Sequence, residues 1–261
     1  MAVKIELAAV TRRGQAGVTN EDAVGVNGWA LWATEPPATP TLSPAALILD
    51  LGTSRHSSFV VADGLGGLLG AQQASLVVAE SLSGQDIRDW ASLTASLNRA
   101  HRRLLEIQRA RPEVGEMGAA FAGVTVDASG AVACFNVGDC RVYFANAGTL
   151  VQASRDDTEP IAFTSRSRLT RWVGQAGVDQ LEPYVRRLEP AQVRRILVCS
   201  DGLYTSAGID ALEATLCDPN AQTSQALAQR LLDSAGGATD DASAVVLQVI
   251  VSETPSSQQR R

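Results

Sequence analysis

Alternating apolar and polar positions, together with short β-rich apolar runs, predict strands near residues 3–10, 45–50, 58–62, 120–126, 131–137, 141–145, 195–200 and 243–251. Between them the period changes. Trp90, Leu93, Leu97, Ala100, Leu104 and Ile107 recur at steps of three and four, so residues 87–110 read as a long amphipathic helix whose apolar stripe is packing. Pro112 ends it, because proline lacks the N–H that continuation needs. A second helix is expected over about 70–82, with Ala71, Ala74, Val78 and Leu82 on one face. Two more follow near 207–217 and 222–235, the last closed by Gly236 and Gly237 where a left-handed cap is required.

The order is strands, two helices, a run of strands, two helices and a final strand. That is not the βαβα alternation of a parallel doubly wound sheet, so an α+β fold with antiparallel sheets is expected. Residues 1–251 read as one domain. Within it, residues 27–57 form an excursion, read as a hairpin with a Pro-rich loop and the strand-like run Ala46–Leu51. Residues 252–261, SETPSSQQRR, are polar and aperiodic and read as a disordered tail.

Composition narrows the classes. The 261 residues carry 22 Lys+Arg against 28 Asp+Glu, a net charge of −6, with 45% apolar and 19% charged residues, which is globular composition. Cys134, Cys140, Cys199 and Cys217 lie in apolar runs without CxxC spacing, so buried reduced thiols are expected rather than zinc or disulfides. No apolar run reaches the roughly 18 residues of a membrane span, and Glu6, Arg12 and Arg13 interrupt any signal-peptide pattern. A cytoplasmic protein is expected. Nothing resembles the clustered cations that bind nucleic acid. Two histidines, His56 and His101, and one lysine, Lys4, leave carboxylates as the main candidate chemistry.

Four acidic spots share a pattern in which an apolar run delivers Asp to a Gly or a turn: Glu21-Asp22, Asp63-Gly64, Asp201-Gly202 and Asp240-Asp241. A strand ending in Asp-Gly holds a carboxylate at the rim of the core, and glycine lets the backbone turn or approach a ligand. Any one of them is most simply a turn. Several brought together would repel unless a cation neutralised them or some were protonated. The dinucleotide fingerprint fails, since G-x-G-x-x-G counted from Gly64 ends on Leu69.

The motifs TRRGQAGVTNEDA, VVADGLGGLLGAQQAS, EMGAAFAGVTVD, CFNVGDCRVYF, ILVCSDGLY and GGATDDASAVVL, in this order, resemble the PPM family of metal-dependent serine/threonine protein phosphatases, often called type 2C. The resemblance spans about residues 5–250. It implies a four-layer α-β-β-α fold, two antiparallel sheets packed as a sandwich with helices on both outer faces. It also implies two Mn2+ or Mg2+ ions in a cleft at one end, with a weaker third ion in some relatives. By resemblance, Asp63 bridges both ions and Gly64 offers its carbonyl. Asp201 and Asp240 complete one shell, and Glu21 and Asp22 stand by the other ion, with the direct ligand of that pair left open. Glu116 lies near where relatives bind the third ion.

The implied activity is hydrolysis of phosphoserine and phosphothreonine in proteins by metal-activated water. The expected partners are phosphorylated protein substrates of a Ser/Thr kinase, met by a monomer. The second reading is a phosphatase-like module that binds a phosphorylated or regulatory partner with little or no catalysis.

The chain departs from the family in several places. Gly17 stands where the phosphate-binding arginine is expected, leaving Arg12 or Arg13 to supply a guanidinium, with Arg13 taken as the candidate. Leu65 replaces a histidine that follows the Asp-Gly in some relatives. The flap over 157–169 is short, and Asp241 replaces an Asn, read as a solvated neighbour and not as a ligand. Of the remaining residues, Arg141 is expected in a structural ion pair. His101 is expected at the surface or a boundary, and the arginine pairs at 102–103, 186–187 and 194–195 on solvated faces.

Overall fold

The structure is a computed structural model that describes residues 2–31, 47–51, 56–66, 68–84, 87–162, 164, 167–188, 193, 195–221 and 223–252. In chain order the first elements are β1 Ala2–Arg12, β2 Ala23–Val26, β3 Trp29–Leu31, β4 Leu47–Leu51, β5 Ser57–Leu65, α1 Leu68–Ser83 and α2 Trp90–Ala110. Then come β6 Gly118–Val126, β7 Val132–Val137, β8 Arg141–Asn146, β9 Thr149–Gln152, β10 Thr158–Pro160, β11 Ser167–Leu169 and β12 Tyr184–Leu188. The chain closes with β13 Arg195–Cys199, α3 Asp201–Ala207, α4 Ile209–Leu216, α5 Ser224–Ser234 and β14 Ala242–Ser252.

Two six-stranded antiparallel sheets carry the fold, ordered β4-β1-β14-β13-β8-β9 and β12-β7-β6-β5-β2-β3. Their facing sides share one buried core that includes Ile5, Leu7, Phe59, Val61, Val124, Val142, Ile196 and Leu247. Helices α1 and α2 cover the outside of the second sheet through Val78, Leu82, Leu97, Leu104 and Phe121. Helices α3 to α5 cover the first through Leu203, Leu212, Leu227 and Leu231. Each such side chain contributes about 1.5–3 kcal/mol by leaving water. The expected four-layer order is therefore present. Among the described residues no helix is long and apolar enough to cross a membrane.

Helix α2 begins at a capping box in which Asp89 accepts from Ser92 N at 2.8 Å, and it stops just before Pro112. Its stripe is buried from Leu93 to Leu104 and half-buried at Ile107, while Trp90 is 47% exposed at the first position of the helix and is not core as expected. The polar residues beside that stripe have their own task. Asn98 donates to Leu181 O and accepts from Leu181 N, and Gln108 donates to the carbonyls of Met117 and Gly174. His101 is fully buried, contrary to expectation. It accepts from Gly174 N at Nδ1 (3.0 Å), which leaves Nε2 to donate to Val178 O at 2.8 Å.

Three further expectations change. The excursion is not a hairpin in itself: β3 pairs with β2 across the Asn27-Gly28 turn, whereas β4 pairs with β1 in the other sheet. Residues 32–46, like the tail 253–261, lie outside the described residues. The helix expected near 207–217 is present as α4, but it is preceded by an unexpected helix, α3, which starts directly on Asp201. Arg195 is not on a solvated face, because its guanidinium closes the end of α4 by donating to the carbonyls of Leu216, Asp218 and Ala221.

Candidate metal centre

The antiparallel registers decide where the acidic spots go. Asp63 near the end of β5 pairs with Ala120 at the start of β6, and Ala62 pairs with Ala23 at the start of β2, just after Asp22. In the other sheet Cys199, two residues before Asp201, pairs with Ala244, and Ala242 at the start of β14 pairs with Arg12 at the end of β1. Both sheets thus deliver acidic residues to one end of the sandwich.

The electrostatics show that these carboxylates meet. Burial raises Asp63 well above the usual carboxylate range, reinforced by the charges of Asp22, Asp201, Asp139 and Asp240. Asp22, only 1% exposed, is raised first by burial and then by Asp241, while hydrogen bonds from Ser243 and Ser200 pull the other way. Glu21 is pushed up to about 7 by burial, Asp241 and Asp240. Asp201 is raised by burial and then by Asp240, with Asp63 pulling the other way. Glu21, Asp22, Asp63, Asp201 and Asp240, named from the sequence, therefore form one neighbourhood. Glu116 instead is exposed on the loop before β6, where its backbone carbonyl packs near Gly66.

Glycines let the backbones close in. A Cβ on Gly64 would sit 2.2 Å from Ala71 O and 2.8 Å from Glu21 O, so only glycine lets β5 pass between α1 and the loop that carries Glu21. A Cβ on Gly202 would meet Asp241 O at 2.1 Å, which explains why glycine follows Asp201. The Asp-Gly pairs thus serve close approach between elements, beyond any turn.

One member was not singled out from the sequence. Asp139, between β7 and β8, is pushed up to about 7, chiefly by burial and then by Asp201. Its signal was available, since Val137-Gly138-Asp139 repeats the pattern of an apolar strand delivered to glycine and aspartate. Around it, Tyr204 donates from its hydroxyl to Asp139 O at 3.1 Å, and the Arg141 guanidinium stacks 3.8 Å over the Tyr204 ring. Arg141 also grips Asp156 with two nitrogens, the expected structural ion pair.

The two arginines before the first loop diverge. Arg12 donates to Leu232 O and Ala235 O at the end of α5, so its charge is spent on a helix terminus. Arg13 is exposed, donates to Val18 O at 2.9 Å, and its Cγ lies 4.0 Å from the Cβ position of Gly17. Asp241 is not the solvated neighbour expected. It is 7% exposed, accepts from Gly14 N at 2.7 Å and from Glu21 N at 2.5 Å, and carries the opposing effects of burial and those two bonds on its pKa, burial prevailing.

The donor set suits hard divalent cations: carboxylate oxygens, two of them, Asp22 Oδ1 and Asp201 Oδ1, buried without a hydrogen-bond partner. Among the described residues no three of these groups stand at coordinating spacing. Like charges packed together in this way are relieved either by a cation or by protonation, and the raised pKa values of Asp63 and Asp201 express that repulsion together with burial.

Residues 50–239 match the family model described as protein phosphatase 2C. The serine/threonine protein phosphatase PstP of Mycobacterium tuberculosis is 25% identical over 208 residues, which are 73% of this chain and 40% of that protein. The chain thus spans well under half the length of this curated relative. Among solved structures, the catalytic domain of PstP in complex with two manganese ions superposes with a TM-score of 0.72 at 22% identity, covering 95% of this chain and 100% of that one. The serine/threonine phosphatase of S. agalactiae gives a TM-score of 0.73 at 17% identity, covering 94% and 100%.

Proposed function

This chain belongs to the protein phosphatase 2C family, and we propose that it removes phosphate from serine and threonine residues of proteins with Mn2+ or Mg2+. One observation carries this reading: acidic residues beside the ends of β2, β5, β13 and β14 and between β7 and β8, two of them with unpartnered buried oxygens, gather at one end of the sandwich, where burial and their mutual charge raise Glu21, Asp22, Asp63, Asp139 and Asp201. The manganese-bound relative supports the choice of ions. In this reading Glu21, Asp22, Asp63, Asp201 and Asp240 hold two cations, with the carbonyl of Gly64, and Asp139 is available beside Asp201.

When bound, such a pair makes water acidic enough to attack at neutral pH and offsets the charge of the phosphoryl oxygens. The protein's part is to bind and orient. Ser200 fixes Asp22 from the opposite sheet by a hydrogen bond of 2.7 Å. Arg13 receives the substrate phosphate in place of an arginine at 17, since Arg12 is committed to α5. Leu65 has no proton to give, so the departing alkoxide takes one from solvent. β10 and β11 pair over only three residues each, and in this reading so short a flap leaves substrate choice to surfaces beyond it.

The test is release of phosphate from a phosphothreonine peptide with Mn2+, with EDTA, and with Asp63→Asn. Turnover that needs Mn2+ and falls at least a hundredfold in the variant is expected. Mn2+ binding without turnover would instead favour a module that holds phosphorylated or regulatory partners, the reading Gly17 would suit.

A further inference from the structure

Asp241 links the two ends of the loop that runs from β1 to β2. Its Oδ1 accepts from Gly14 N at 2.7 Å and its Oδ2 from Glu21 N at 2.5 Å, so one carboxylate spans the mouth of that loop. The side chain is 7% exposed, and its backbone is fixed as well, with Asp241 N donating to Asp240 Oδ1 and Asp241 O packed against Gly202. Gln15 N and Ala16 N bond to Ala238 O and Thr239 O, which stitches the near side of the loop to the same segment. On the far side, the bond to Glu21 N holds the backbone of a residue whose carboxyl faces Asp240 and Asp241.

We propose that Asp241 is a positioning residue that clasps this loop and thereby holds Glu21 at the metal centre, a role an asparagine cannot fill. Both groups facing the carboxylate are N–H donors, so two acceptor oxygens are needed. An amide offers one acceptor and one NH2, which sets donor against donor at one of the two contacts. The inference rests on Glu21 standing by a bound cation. Groups that orient the residues around an ion commonly change its affinity by tenfold or more.

The experiment compares wild type, Asp241→Asn, Glu21→Gln and the double variant. Tryptic cleavage between Arg13 and Gly14, followed without metal, reads the clasp directly, because the amide of the cleaved bond is the one Asp241 holds. Calorimetric titration with MnCl2 reads its consequence. We expect Asp241→Asn to speed cleavage several-fold and to weaken Mn2+ binding about tenfold, with the double variant no weaker than Glu21→Gln alone. Hydrogen exchange on wild type is a check without any variant: the amides of Gly14 and Glu21 exchange more slowly than that of Gly17. Unchanged cleavage in Asp241→Asn, or unprotected amides in wild type, overturns the clasp. Additive losses overturn its action through Glu21. Failure of wild type to bind Mn2+ overturns the metal reading and the second half of the inference with it, while the cleavage and exchange results still decide the clasp.

Discussion

The hydroxyl of Ser200 donates to Asp22 Oδ2 at 2.7 Å, which ties the end of β13 in one sheet to the loop entering β2 in the other. The link continues through Ser243 N to Ser200 Oγ, Ser243 Oγ to Thr11 Oγ1, and Asn20 Nδ2 to Thr11 Oγ1. A buried polar chain of this kind fixes how the two sheets meet at the acidic end, because each member is costly to leave unsatisfied.

Ser200→Ala removes the donor to a carboxyl that is 1% exposed. The expected loss is about 1–3 kcal/mol of stability, measured by urea unfolding, since a buried acceptor loses a hydrogen bond. An unchanged midpoint would mean that water takes the hydroxyl's place.

The cluster sets a pH dependence. Glu21 and Asp139 are raised to about 7 when folded, from 4.5 and 3.8 when unfolded. Between those values the folded chain binds more protons than the unfolded one. Stability is therefore fully present below about pH 4 from these two groups and is lost as pH rises through about 7. In EDTA, Tm at pH 8 should lie a few degrees below Tm at pH 5.5, and Mn2+ should remove most of that difference.

Arg13→Ala and Arg12→Ala should separate. Loss of the exposed Arg13 raises KM for a phosphopeptide about tenfold with little change in kcat, because charge-assisted contacts to phosphate are lost. Loss of Arg12 leaves KM in place and lowers stability by about 1–2 kcal/mol, through the freed carbonyls of α5. Steady-state kinetics beside thermal melts distinguish the two.

His101→Ala removes two hydrogen bonds and opens a hole in a fully buried position. A loss of about 2–4 kcal/mol is expected, read by denaturant unfolding, together with faster proteolysis within residues 174–181.

The strands β5 and β13 that bear Asp63 and Asp201 were legible because each is a run of apolar residues closed by Asp and Gly, whereas the four-residue β2 beside Glu21 and Asp22 is too short to show alternation. Asp139 follows the same pattern, yet its motif was read only as a mark of the fold, and its place beside Asp201 depends on register between β8 and β13. Short edge strands such as β3 and β12 were not legible, since three to five residues carry too little alternation to separate from loop. His101, Asn98 and Gln108 lie next to an apolar stripe, and nothing in their spacing reports that their partners are backbone groups some ten to eighty residues away. The same holds for Asp241, whose burial follows from two loops meeting and not from its neighbours in sequence.

A crystal grown with MnCl2 and measured at the manganese absorption edge bears most directly on the centre. Two anomalous peaks among Glu21, Asp22, Asp63, Asp201 and Asp240, with Asp63 touching both, are predicted. A map with no peak there, or with manganese only at other surfaces, contradicts the account.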